Sequence, residues 1–305
     1  MVERIAYDEF GLFHENAGEY GLPYAGPPLV RRERVALDDG RHLSALVWGD
    51  APPELVLLHG GAQNAHTWDT VALALGRPLV AIDLPGHGHS DGGRNGSLDL
   101  EANAADVATA IAALAPEARA VTGMSLGGLT ALVIAGRSPE LVRSLVMIDV
   151  TPGVDDEKAA AIIAFVNGPE SFADFDEILA RTVQFNPTRS ESSLRRGILH
   201  NAEQRDDGSW VWRHARHRAG EPSAPVSERF DRAALWDVLA RVEAPVLFVR
   251  GMAQGSVVSD DDEERLRAAQ PAARIEHVEG AGHSVQGDKP VELAALLADW
   301  LDSHP

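Results

Sequence analysis

Ser125 sits at the centre of Gly123-Met124-Ser125-Leu126-Gly127, a Gly-x-Ser-x-Gly pentapeptide. An apolar run, RAVTGM (119–124), precedes it and a helical stretch (126–137) follows. A serine on such a sharp strand-to-helix turn takes a strained backbone conformation, and its hydroxyl is projected above the carboxyl edge of a sheet. The small flanking residues let strand and helix pack closely. The helix N-terminus behind the serine offers free N–H groups to a developing oxyanion. The chemistry that suits this arrangement is nucleophilic attack on a carbonyl, with a covalent intermediate. The alternative is a Gly-rich turn with an ordinary N-cap serine; the strand before and the helix after favour the nucleophile.

Positioning that serine requires a sheet. ELVLLH (54–59), PLVAID (78–83), RAVTGM (119–124), SLVMID (144–149), PVLFVR (245–250) and ARIEHV (273–278) are short apolar runs of strand length. Helical stretches fall at about 65–75, 99–114, 126–137, 231–241, 260–269 and 290–302. Apolar strands alternating with amphipathic helices predict a mostly parallel, doubly wound α/β sheet with both faces covered. VRRERVAL (30–37) and HLSALVW (42–48), separated by a DDG turn signal, predict a hairpin at one edge. Residues 1–29 lack periodicity, contain Pro23, Pro27 and Pro28, and read as an irregular extension. Between 152 and 230 the alternation stops. That stretch reads as several helices with no convincing strand, a helical cap inserted between core segments 30–151 and 231–305.

Composition narrows the function. The chain has 305 residues, no cysteine and a net charge of −19. Disulfides, thiolate metal sites and cysteine nucleophiles are excluded. The charge repels phosphate backbones and anionic membranes, so neither a nucleic-acid nor a membrane partner is expected. No apolar run reaches the roughly 20 residues that span a bilayer, and MVERIAYDEFGLF has no signal-peptide core. A cytoplasmic protein is expected.

Three further motifs join the serine elbow in order along the chain: LLHGGAQNAHTW (57–68), IDLPGHGHSD (82–91) and VEGAGHSVQGDKP (278–290). With these four segments, the chain over about residues 30–303 resembles the α/β-hydrolase superfamily, specifically serine hydrolases with a helical cap. The resemblance implies that Ser125 is the nucleophile and His283 the base that takes its proton. It implies an oxyanion hole made by the backbone N–H groups of Gly61 and Leu126. His59 is expected to prop the oxyanion loop, His87 and His89 to shape a turn, Asp83 to be structural and Trp68 to pack. No metal or organic cofactor is implied.

The third member of such a site is a carboxylate, which fixes the imidazole tautomer and stabilises its cation. In the family it usually lies about three residues after the glycine that ends the strand at 245–250. Here Gly251 is followed by Met252, Ala253, Gln254 and Gly255, none of which ionises. Asp149, at the end of the strand that follows the nucleophile helix, is the preferred acid, because sites collect at the carboxyl edge of such sheets. Some family branches, including many haloalkane dehalogenases and the zearalenone-lactone hydrolases, look similar in this respect. Asp260, Asp261 or Asp262 is the alternative, although SDDDEERL reads as a helix start with Ser259 as N-cap. A chain with no working acid is the third possibility.

In the cap, Ile162, Ile163, Phe165, Phe172, Phe175, Ile178 and Leu179 either pack or face a substrate, with packing the default. Trp210, Trp212, Arg213, His214, Arg216, His217 and Arg218 either guide an anionic or aromatic ligand or form a solvated basic face, the latter favoured. The leading expectation is hydrolysis of an apolar or aromatic carboxylic ester or lactone, a small-molecule substrate. The alternatives are a C–C bond hydrolase of a vinylogous ketone acid and a non-catalytic ligand-binding protein on the same fold. A serine at the elbow argues against dehalogenase and epoxide hydrolase chemistry, whose family members use Asp there.

Overall fold

A computed structural model of the chain describes residues 4–94, 99–153, 156–214 and 230–304. Eleven strands are found among them: β1 (Val30–Ala36), β2 (His42–Trp48), β3 (Leu55–Leu58), β4 (Leu79–Ile82), β5 (Ala120–Met124), β6 (Leu145–Ile148), β7 (Ser171–Phe172), β8 (Ala202–Gln204), β9 (Trp210–Trp212), β10 (Val246–Gly251) and β11 (Arg274–Val278). The α-helices are α1 (Phe13–Tyr20), α2 (Asp69–Leu75), α3 (Leu100–Leu114), α4 (Leu126–Arg137), α5 (Asp156–Val166), α6 (Phe175–Phe185), α7 (Glu191–Asn201), α8 (Arg232–Arg241), α9 (Asp260–Ala269), α10 (Val285–Asp288) and α11 (Pro290–Ser303).

Eight strands form one sheet in the order β1-β2-β4-β3-β5-β6-β10-β11. The hairpin lies at one edge: β1 runs antiparallel to β2, and β2 antiparallel to β4. Every other pairing in this sheet is parallel. β3, β4, β5, β6 and β10 are buried along their whole length. Their unbroken apolar runs follow from that, since a strand covered on both faces has no solvent side to make polar. One face packs against α3, α4 and α8, with Val107, Ile111, Leu132 and Leu239 buried there. The other packs against α1, α2 and α11, around Phe13, Trp68, Val71, Leu297 and Trp300. The chain thus has the expected doubly wound α/β sheet, and Trp68 packs in its core.

Two sequence expectations are corrected. Residues 1–29 are not wholly irregular. α1 buries Phe13 and Ala17 on one face, and the Phe13 ring lies 4.9 Å from that of Trp48. A single large apolar residue drives that docking, too little to register as periodicity. Within 152–230, the helices α5, α6 and α7 are accompanied by a second sheet, β7-β9-β8, antiparallel throughout. Its strands are two or three residues long, shorter than any alternation can reveal. They close over Phe172, Ile178, Ile198, Leu199 and Trp210. Arg216, His217 and Arg218 lie outside the described residues.

In a parallel sheet every strand delivers its following loop to the same edge. The loops after β3, β5, β6 and β11 carry Gly61, Ser125, Asp149 and His283 respectively. The topology therefore gathers at one rim residues that are far apart in sequence.

Candidate active site

Three non-glycine residues among those described hold a positive φ: Ala62 at 60°, Ser125 at 52° and Asp149 at 46°. All three belong to the loops just named. Backbone strain of this kind persists only where surrounding structure enforces it.

Ser125 takes φ 52°, ψ −120°, and its side chain makes no capping hydrogen bond to α4. That removes the N-cap reading. The turn is possible because its flanking residues lack β-carbons. A β-carbon on Gly123 would collide with the backbone of Gly127, and one on Gly127 with the carbonyls of Leu58 and His59. Leu126 is the first residue of α4, so its N–H lies ahead of the helical ladder.

Gly60 and Gly61 form the facing loop. The Gly60 N–H is engaged by Gln63 Oε1 at 3.2 Å. His59 Nδ1 donates to Gly60 O at 2.7 Å, and Leu84 N–H donates to His59 Nε2 at 2.9 Å. Full burial pulls the His59 pKa down to about 3, so it is a neutral prop holding the loop to the turn after β4. Beyond Gly61, the strained Ala62 offers its carbonyl to Asn201 Nδ2 at 2.7 Å. Asn64 Nδ2 in turn donates to His200 O at 2.9 Å. The inserted segment thereby grips the loop that carries Gly61.

Asp149 is fully buried. Its Oδ2 receives His283 Nδ1–H at 2.9 Å and Val257 N–H at 3.1 Å. Its Oδ1 receives Gly251 N–H at 3.0 Å and Ser256 Oγ–H at 2.6 Å. Four donors surround one carboxylate and fix its plane. Asp260 is elsewhere: it ion-pairs with Arg250 at 2.8 Å, and its side chain is 89% exposed. Asp262 accepts from Ser259, the N-cap of α9. The loop after Gly251 holds no acid, yet it folds around one. Sequence reading missed Ser256 and Val257; a serine five residues beyond Gly251 was the available signal.

Ser125, His283, Gly61 and Leu126 all line one cavity of about 730 Å³. Its walls are largely apolar, with Leu129, Val150, Ile162, Phe165 and Phe185 among them. Of the apolar positions in the inserted segment, Ile162, Ile163 and Phe165 face this cavity, while Phe172, Phe175, Ile178 and Leu179 pack among themselves. Trp210 is buried in that same small cluster, Arg213 ion-pairs with Glu203 at 3.2 Å, and His214 is buried. His87 and His89 shape the turn after β4, where the Asp83 carboxylate accepts from Ala65 N–H, His89 N–H and Arg32.

Behind the cavity lies a buried ionic cluster that the sequence did not announce. His66 Nδ1 is 2.9 Å from Asp69 Oδ2, and its Nε2 is 3.1 Å from Glu9 Oε1. Burial disfavours the imidazolium, but the adjacent Asp69 and Glu9 carboxylates overcome it and hold the pKa up at about 9. Burial likewise opposes charge on Glu9, yet hydrogen bonds from His66 and Arg32 bring it down to about 2. The His200 ring stacks on His66 at 3.8 Å, and burial keeps it neutral, with Nδ1 2.8 Å from the Tyr7 hydroxyl. His66, Asp69 and His200 have ligand atoms within 4.8 Å of one another. The two rings stack nearly parallel, at 10°, so their ring nitrogens do not converge on one point as metal ligands do.

The rim geometry, the strained serine turn and the cavity define an α/β hydrolase. A family model for the alpha/beta hydrolase fold matches residues 53–290, and the chain belongs to that family. The chain is 40% identical to Esterase Rv0045c of Mycobacterium tuberculosis, over 99% of this chain and 98% of that protein. The crystal structure of that esterase superposes with a TM-score of 0.80 at 39% identity, covering 98% of this chain and 100% of the other. The chain is 28% identical to 2-(acetamidomethylene)succinate hydrolase of Mesorhizobium japonicum, over 82% of this chain and 88% of that one. Among the described residues no helix is long and apolar enough to cross a membrane.

Proposed function

We propose that this protein is a serine hydrolase that cleaves a small-molecule carboxylic ester or lactone through an acyl-enzyme on Ser125. The observation that carries this reading is the pairing of His283 Nδ1 with the buried Asp149 carboxylate beside a cavity that also exposes Ser125. That pairing commits Nδ1 to the acid and leaves Nε2 for the serine. Ser125 Oγ attacks the carbonyl carbon as its proton passes to His283 Nε2. The oxyanion is received by the N–H groups of Gly61 and Leu126, aimed in advance at the developing charge. His283 returns the proton to the departing alkoxide, which leaves as an alcohol. Water then repeats the sequence on the acyl-enzyme and releases the acid.

The 40% identity to an esterase along nearly the whole chain supports the reaction class. The apolar walls of the cavity support an apolar acyl or aryl group on one side of the scissile bond. The inserted segment between β6 and α8 acts as the cap over it. A nucleic-acid partner is disfavoured by the net charge of −19.

A fluorophosphonate probe is expected to label the wild-type protein and not Ser125→Ala, and wild type is expected to release p-nitrophenol from short acyl esters. Failure of the folded protein to label or to turn over any ester or lactone in a panel would sink the assignment.

A further inference from the structure

A second cavity, of about 150 Å³, lies between the inserted segment and the core. It shares Ala62, Gln63, Phe165, Asn186 and Ser284 with the cavity that holds Ser125. The character of its walls is different. Five side chains that line it carry a buried polar atom with no hydrogen-bond partner among the described residues: Asn16 Oδ1, Asp69 Oδ1, Gln286 Oε1, Arg189 Nε and Arg196 Nε. Buried polar groups are normally satisfied, and a cluster of unsatisfied ones marks a place where something polar binds.

The charges of this cavity do not balance equally. Arg196 is answered by Glu15 and Glu19, and His66 lies between Glu9 and Asp69. Arg189 has no such answer. Its Nη2 donates to the neutral Ser193 Oγ at 2.6 Å, and no carboxylate among the described residues is within ion-pair distance of it. Asp288 and Glu19 attract it only from farther off, and burial leaves its pKa below the usual arginine value. The guanidinium lies close to Gly287, where a β-carbon would come within 2.9 Å of Nη1 and 3.0 Å of Cζ. Gly287 lies four residues beyond His283, on the same short loop-and-helix. The guanidinium, with no carboxylate partner among the described residues, therefore packs on the same segment that carries the proposed catalytic histidine.

We propose that Arg189 receives a carboxylate of the substrate, so that the two cavities form one bipartite site. The scissile ester lies at Ser125, and a free carboxylate reaches past Gln63 to the guanidinium. The substrate class is a half-ester of a short dicarboxylic acid, or an ester of comparable length ending in a carboxylate. A planar fork with a free Nε edge suits a carboxylate better than a neutral acceptor. In a chain of net charge −19, a buried local cation is also what would draw an anion in. The inference rests on the ester-hydrolase reading of Ser125.

The test compares p-nitrophenyl hydrogen glutarate with p-nitrophenyl pentanoate, which has nearly the same shape and no charge. Wild type is expected to favour the glutarate in kcat/KM. Arg189→Gln is expected to lose about 10- to 100-fold on the glutarate, the worth of a charged hydrogen bond, with the pentanoate changed far less and Arg189→Lys intermediate. Glutarate itself is expected to raise the melting temperature of wild type and not of Arg189→Gln, a readout independent of turnover. Equal losses on both esters, or no preference in wild type, would overturn the carboxylate subsite and leave the esterase reading intact. Hydrolysis of neither ester would overturn both.

Discussion

Ser256 Oγ donates a 2.6 Å hydrogen bond to Asp149 Oδ1, while the other oxygen of that carboxylate receives the His283 ring. The hydroxyl thus fixes the carboxylate plane that in turn orients the imidazole. Ser256→Ala leaves Oδ1 with only the Gly251 N–H. Removing one donor from a buried carboxylate costs about 1–3 kcal/mol. The expected result is a lower melting temperature and a fall in kcat of about tenfold with KM little changed, because the loss falls on the imidazolium formed in the transition state.

Asp149→Asn keeps the size of the side chain and removes its charge. In the serine-protease example the equivalent change lowers turnover about 10⁴-fold by favouring the wrong tautomer, and a loss of that order is expected here. Asp260→Asn, at an exposed side chain paired with Arg250, is expected to stay within a few-fold of wild type. Steady-state kinetics of the two variants would reassign the acid if the order were reversed.

Asn201 connects the inserted segment, through the carbonyl of Ala62, to the loop that carries the proposed oxyanion donor Gly61. Ala62 sits at φ 60°, a conformation an alanine abandons when nothing holds it. Asn201→Ala is expected to lower kcat by about tenfold with a smaller change in KM, since an oxyanion donor displaced from its place weakens the transition state more than the ground state. A KM effect alone would restrict Asn201 to substrate binding.

The Glu9–His66 contact ties the N-terminal arm to the core and carries a pH signature. His66 has a folded pKa of about 9, above its ordinary 6.5. Its contribution to stability is therefore complete below pH 6.5 and lost as pH rises through 9. Glu9 is held at about 2, below its ordinary 4.5, so its contribution is complete above pH 4.5 and lost as pH falls toward 2. The two overlap between pH 4.5 and 6.5. The difference in urea-unfolding free energy between wild type and Glu9→Gln is expected to be greatest in that window and to shrink by ~pH 9.5. A difference that stays flat across this range would remove His66 from the account.

The core strands, the elbow and the histidine loop were legible because each is written in contiguous residues: an apolar run, a pair of glycines around a serine, Gly-Ala-Gly-His. Asp149 was legible from its place at a strand end. The groups that hold it were not. Val257 acts through a backbone N–H that any residue would supply, and Ser256 acts over 107 positions. Arg189 looks in sequence like a surface arginine, since nothing in its neighbours reveals whether an acid will meet it. Glu9 and Tyr7 lie in an arm whose partners, His66 and His200, come from the core and the inserted segment. Pairings made by tertiary structure alone leave no local pattern.

The end of β10 and the loop after it serve Asp149 with two amides and one hydroxyl, and Met252, Ala253, Gln254 and Gly255 contribute no side chain to that task. Three of those four, Ala253, Gln254 and Gly255, border the large cavity. Here the duty of holding charge and the duty of shaping a binding surface are divided between neighbouring positions. A library randomised over 252–255 would thus explore new substrate shapes with the anion left in place, a freedom denied to a relative whose acid occupies that same stretch.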